Sequence, residues 1–322
     1  MNAMKLKLIF GDVTLGVSGE SFHYIFSYQA GGMESLNILG KEWLYRPPRP
    51  AFWRAMTDND RGASFYKTSG MWLLADSYPC CRSIALSVDG EQIPDFRAPQ
   101  NNRFSGSEEA DTVSITYLYD TLTFPPTTAE IRYTVHADGR VRIEAAYHGK
   151  AGLPQLPVFG VRFLFPTPAV RYRYSGLSGE TYPDRMAGGQ KGIYEIEGLP
   201  VTPYLVPQEC GMHMETDWLE ITRNATRKYR DADRREFCLR IVSDGSPFAF
   251  SCLPYTPQQM EFADHQEELP PVTRTVLTVC GGVRGVGGID TWGSDVEPPY
   301  RLYGDKNIHF SFVIKHSEQE QL

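Results

Sequence analysis

Four stretches of this 322-residue chain gather carboxylates, amides, glycines and aromatic rings closely enough to do chemistry. In Tyr174 to Arg185, Glu180 and Asp184 stand near Arg185. Two carboxyl groups flanking one bond are the minimum equipment for cleaving a glycoside. The plainer reading is that one of them bonds Arg185 and fixes a long loop. Gly176-Leu177-Ser178-Gly179-Glu180 has glutamate where a nucleophile elbow needs its last glycine, so a serine hydrolase is unsupported.

Pro207 to Met214 offers Gln208, Glu209 and His213 within a few residues. Such groups can grip sugar hydroxyls, and His213 could act as a base near neutral pH or serve a structural role. Gly281 to Asp295 is rich in glycine but does not match G-x-G-x-x-G and precedes no helical pattern, which excludes a dinucleotide cradle. It presents Trp292 between Asp290 and Asp295. An exposed indole flanked by polar groups suits the apolar face of a sugar ring, and a core tryptophan is the alternative. In Pro50 to Gly62, the run Asp58-Asn59-Asp60 reads as a turn whose side chains bond their own backbone. It lacks the spacing of a calcium loop, and His136, His148 and His265 lack that of a zinc site, so no metal is expected in this chain.

These stretches must hang on β-structure. Glycine (29), proline (23) and 12% aromatic residues favour short strands joined by turns. Phe22, Tyr24, Phe26 and Tyr28 fall on one face of a strand, as do Val113, Ile115, Tyr117 and Tyr119. Ile131, Tyr133 and Val135 lead through Asp138-Gly139 into Val141, Ile143 and Ala145, a hairpin whose two central residues should both have positive φ. Later strands are expected at 161–165, 237–242, 248–253, 275–280 and 308–314. Only 69–78 and 256–265 are compatible with helix, with Thr256 as N-cap before a proline. The fold expected is all-β, a large antiparallel β-sandwich forming one domain over residues 1–322, with 1–3 a candidate expression scar and 316–322 a polar tail.

A net charge of −7 argues against nucleic acid, whose phosphates must be neutralised by Lys and Arg. No apolar run is long enough to span a bilayer and no secretory signal is visible, so neither a membrane nor export is expected. Six cysteines without a C-x-x-C pair suggest free thiols in a cytoplasmic setting, with Cys252 and Cys280 as small buried hydrophobes.

Taken in order, F-W-R-A-x-T-D-N-D-R-G from Phe52, Y-S-G-L-S-G-E-T-Y-P-D-R from Tyr174, L-V-P-Q-E-x-G-M-H-M from Leu205 and R-G-V-G-G-I-D-T-W-G-S-D from Arg284 resemble the small subunit of heterodimeric β-galactosidase. They are also similar to the C-terminal domain of single-chain members of glycoside hydrolase family 2. The resemblance covers nearly the whole chain. It implies a supersandwich of the galactose-mutarotase-like type, inactive alone, that completes the active-site pocket of a retaining β-galactosidase acting on galactosides such as lactose. Both catalytic glutamates, with magnesium and a monovalent cation, would sit on the TIM barrel of a large subunit, and none in this chain. Trp292 would lie against the sugar, with Asp290 and Asp295 holding its loop. Asp58, Asn59, Asp60, Gly62, Glu180, Asp184, Arg185, Glu209 and His213 would line pocket or interface loops. Cys210 replaces the asparagine found in many relatives, and no role is assigned to it. The competing reading is a mutarotase-like enzyme or sugar-binding module acting alone on free sugars through Glu180, Glu209 and His213.

Overall fold

A computed structural model describes residues 4–98, 108–228 and 231–316. Its strands form three sheets in which neighbours run antiparallel. Ten strands make one layer, running from Lys191–Glu197 at one edge, through Ile308–His316 and Val141–Tyr147, to Glu91–Gln92 at the other. A six-stranded sheet built on Phe22–Ser27 and Gly32–Ile38 covers part of it. A five-stranded sheet covers the rest, in the order Met212–Thr216, Phe248–Leu253, Thr275–Val283, Val158–Phe165, Arg46–Ala51.

The aromatic alternation supplies the glue between layers. Phe26 meets Tyr133 across the first contact, and Phe163 and Phe248 meet Phe312 across the second. One apolar cluster runs through all three sheets. Val113, Ile115, Tyr117 and Tyr119 are buried on one face, as their spacing requires.

The hairpin at Asp138-Gly139 forms, but by a different turn. Only Gly139 has positive φ, His136 N bonds Arg140 O, and Gly139 N bonds His136 O. Ala137 lengthens the loop, so a single left-handed glycine closes it where a two-residue turn would need two such residues. The helix expected at 69–78 is two short ones, Phe65–Ser69 and Met71–Ser77. Thr256 caps Pro257–Glu261 with a reciprocal bond from Gln259. Asp58-Asn59-Asp60 is not a simple turn: it opens the helix Asp58–Gly62, because Thr57 and Asp60 cap each other's backbone N–H. His316 ends the last strand, and residues 1–3 and 317–322 lie outside the described residues.

The five-stranded sheet is covered on both faces, which is why Phe248–Leu253 is buried along its whole length. The ten-stranded sheet lies on one side. On the other lie loops and short helices, where Ala55, Cys210, Leu253 and Met260 form a separate small core. Ala51 pairs with Gly160 and Val283 with Val158, so the strands feeding the first and fourth polar segments run out at the same end of the sheet. Among the described residues no helix is long and apolar enough to cross a membrane.

Candidate functional site

The first and fourth segments converge on one carboxylate, and the second and third are tied to them. Asp60 is 2% exposed and accepts from Arg54 Nη2 at 3.1 Å, from Arg284 Nη1 at 3.0 Å and from the hydroxyl of Thr57 at 3.0 Å. Arg284 is fully buried, lies 4.0 Å over the Phe65 ring, and also donates to Gln155 and Asp295. Arg54 donates again to Gly285 O at 2.9 Å. Two buried guanidiniums thus share one buried carboxylate and grip the start of the 284–295 loop. Removing that carboxylate would strand Arg54 and leave Arg284 with Asp295 alone. A second buried pair fastens the neighbouring backbone: Arg162 donates to Asp76 at 2.5 Å and to Trp53 O, while Asp76 accepts from Phe52 N and Trp53 N.

The second segment holds the same loop. Asp184 accepts from Val286 N at 3.0 Å and Gly287 N at 2.7 Å, and Arg185 donates to Gly287 O. Glu180 bonds Thr202 and Asp184 bonds loop backbone, so neither pairs with Arg185, contrary to the expectation from their proximity in sequence. Asp184 and Arg185 instead each bond backbone groups of the loop a hundred residues on. Asn59 donates to Val286 O, and Gln208 accepts from Asp58 N at 2.7 Å, joining the third segment to the first. Gly288 must be glycine, since its φ is +78° and a Cβ would lie 2.7 Å from Asn59 Nδ2. At Gly293, with φ of +81°, a Cβ would lie 2.8 Å from Gly62 O, so the two loops touch through bare backbone.

At the tip of this loop Trp292 is 90% exposed, which removes it from the core. Asp290 shapes the tip by accepting from Trp292 N at 3.0 Å, Ser294 N at 3.2 Å and the Ser294 hydroxyl at 2.5 Å, bonds that hold its carboxyl below the usual range. Asp295 works at the base, between Arg284 and Arg301.

His213 is 4% exposed, with Nδ1 2.8 Å from Gly179 O and Nε2 3.2 Å from the Tyr172 hydroxyl. A carbonyl can only accept, so Nδ1 carries the proton and Nε2 accepts from the tyrosine. Burial pushes its pKa down to about 4. Stacked on Phe250, it is a packed, neutral ring with both nitrogens engaged, and the base role considered for it fails on geometry. Glu209 is buried, and desolvation raises its pKa to about 7 against the pull of Arg54 and Arg162. Glu180 accepts from Thr202 at 2.8 Å. The three carboxylates are therefore dispersed: Asp184 spends both oxygens on backbone, Glu209 is enclosed, and Glu180 holds a loop. What the cluster presents to solvent is an aromatic face on a fixed base. Among the described residues no group of three His, Cys, Asp or Glu side chains is arranged to hold a metal ion.

The family described as "Beta galactosidase small chain" matches residues 18–314. The "Beta-galactosidase small subunit" of Latilactobacillus sakei is 58% identical over 310 residues, 96% of this chain and 98% of that one. The "Beta-galactosidase" of Halalkalibacterium halodurans is 32% identical over 96% of this chain, which spans only 28% of that protein. A galactose mutarotase-like protein from Lactobacillus casei aligns with 94% of this chain and 99% of its own at 9% identity and a TM-score of 0.43, a level from which nothing about function follows.

Proposed function

The chain belongs to the β-galactosidase small-chain family, and on that premise we propose that it is the small subunit of a two-chain retaining β-galactosidase acting on terminal β-D-galactosides such as lactose. The observation that carries the structural side of this reading is Trp292, 90% exposed at the tip of a loop whose base is held by buried charge. The chain spans 28% of a relative that carries the whole activity on one polypeptide, and a catalytic barrel alone needs about 250 residues. The large subunit would be that barrel chain. It would supply the two catalytic glutamates, about 5 Å apart, and hold the magnesium and monovalent cation.

In this arrangement the indole lies against the apolar face of the galactosyl ring and keeps water from that side of the pocket. Asp290 sets the indole's position from within the tip, and Asp295 ties the tip to Arg284. Asp58, Asn59, Asp60, Gly62, Glu180, Asp184, Arg185, Glu209 and His213 support the pocket or interface loops without touching the reacting atoms. The whole chain acts as one domain, for which the continuous core is the support. All six cysteines are free, which suits the cytoplasm.

The rival reading, a mutarotase-like or sugar-binding protein acting alone, needs Glu180, Glu209 and His213 to face one sugar. His213 has both nitrogens engaged and Glu209 is enclosed. Replacing Trp292 by Ala in the assembled enzyme tests the assignment: KM for a nitrophenyl galactoside should rise about tenfold, equivalent to about 1.4 kcal/mol. Unchanged kinetic constants would sink it.

A further inference from the structure

Among the described residues, the four most exposed large apolar side chains are Trp292 (90%), Leu205 (87%), Phe124 (85%) and Phe262 (74%). Single exposed hydrophobes need no explanation, but clustering does. Three of these four stand on loops tied to the short helix Asp58–Gly62 or to the residues just before it. The Leu205 loop is joined to the helix by Gln208, which accepts from Asp58 N and donates to Asp58 Oδ2. Phe262 follows Glu261, whose carboxylate accepts from Met56 N at 2.7 Å and from the Trp53 indole at 3.2 Å. The Leu205 and Phe262 loops are joined to each other by Gln266, which donates to Tyr204 O at 2.5 Å. The Trp292 loop is joined to the helix by Asn59. Hydrogen bonds, part-buried or at the surface, hold the loops in place, while the apolar tips contribute nothing to this chain's own core.

We infer that Leu205 and Phe262 are the apolar anchors by which this chain docks on the large subunit, beside the Trp292 tip, so that the sugar pocket opens at the edge of the interface. The inference rests on the subunit reading above. The occupant follows from chain length: this chain spans 28% of the single-chain relative, so the remainder of such a protein must cover some face of it. In the two-chain case nothing covalent holds that contact, and the apolar area of the face must do so. The charge around it says what else the partner carries. Asp58, Asp264 and Glu267 are exposed around the two anchors, and Arg61 is already paired with Asp58. The partner face should therefore offer two apolar sockets with lysines or arginines at their rim, and added salt should slow association.

The test uses the full chain and a separately expressed large chain, with the dissociation constant measured by sedimentation velocity or titration calorimetry. In the variant carrying Leu205→Ser and Phe262→Ser, affinity should fall about a hundredfold or more, since each anchor buries a large apolar side chain on docking. Both positions are exposed, so the variant should melt with the wild type. Leu39→Ser, 60% exposed in a turn of the six-stranded sheet, should bind as the wild type does. At saturating concentrations of the double variant, kcat and KM should return to wild-type values, whereas Trp292→Ala should assemble normally and keep its raised KM. If the wild-type chains assemble and the double variant binds equally well, the docking face is wrong and the subunit reading stands. If the wild-type chains do not assemble, both fall.

Discussion

At its base the 284–295 loop has an arginine with no solvent exposure, shared between Asp60 and Asp295; eight residues on, it carries a tryptophan with nine-tenths of its surface in water. The base is ordered by charge in a place where water cannot compete. The tip is ordered by backbone and hydroxyl groups of Trp292 and Ser294 donating to one exposed aspartate, and by backbone contact between Gly293 and Gly62. The contrast separates two demands. In the proposed function the tip has to be positioned to within a fraction of an ångström, yet its apolar face has to stay bare until the partner and ligand arrive. Fixing the base tightly lets the tip remain uncovered.

The comparison can be broken at either end. Asp60→Ala should have the largest effect, about 3–5 kcal/mol of stability lost in denaturant titration, because Arg54 stays buried without its counter-charge and Arg284 keeps only the partly exposed Asp295. A loss below 1 kcal/mol would mean the base is not held this way.

The next effect is a pH dependence behind the base. His213 has a folded pKa of about 4, below its unfolded value of 6.5, so its contribution is intact above pH 6.5 and lost as pH falls toward 4. Glu209, with a folded value of about 7 above its unfolded 4.5, does the opposite: its contribution is intact below pH 4.5 and lost as pH rises through 7. Each shift corresponds to about 3 kcal/mol, and the two slopes oppose each other between pH 4.5 and 6.5. Glu209→Gln removes the falling arm, so the variant should gain stability relative to wild type as pH rises from 4.5 to 7. Parallel urea midpoints across that range would contradict the burial of a titrating Glu209.

At the tip the expected effects shrink and change kind. Trp292→Ala should move stability by less than about 0.5 kcal/mol, as for other exposed side chains, while raising KM about tenfold. Asp290→Ala frees the tip without touching the base and should raise KM about threefold, with the melting temperature unchanged. A drop in melting temperature for either variant would mean that the tip is part of the core after all.

The strand faces were legible from sequence because burying one side of a sheet forces an alternation that two residues suffice to repeat. Phe22, Tyr24 and Phe26 needed no neighbours to be read, while Tyr28, also buried, lies in the turn just past the strand. The Asp138-Gly139 hairpin was legible as a hairpin, but its turn depended on where pairing stops, which Ala137 decided. The helix at Asp58–Gly62 was missed because five residues show no period; Thr57 with Asp60 three positions on was the available signal. The four segments of the site could be picked out, with Trp292 among them, but not the way they are joined. Arg54 and Arg284 were passed over because a buried arginine is defined by its partner, and Arg284 finds Asp60 across 224 residues of chain. For the same reason Arg185 was paired with its sequence neighbours when its partner was Gly287.

In the proposed function this chain completes a pocket whose catalytic groups another chain carries. Nitrophenyl galactoside hydrolysis and galactose mutarotation should be measured on the chain alone, on the large chain alone and on the two mixed. Full hydrolysis is expected only on mixing, with no mutarotation by the isolated chain; mutarotation by the chain alone, or a large chain equally active without it, would overturn the subunit reading.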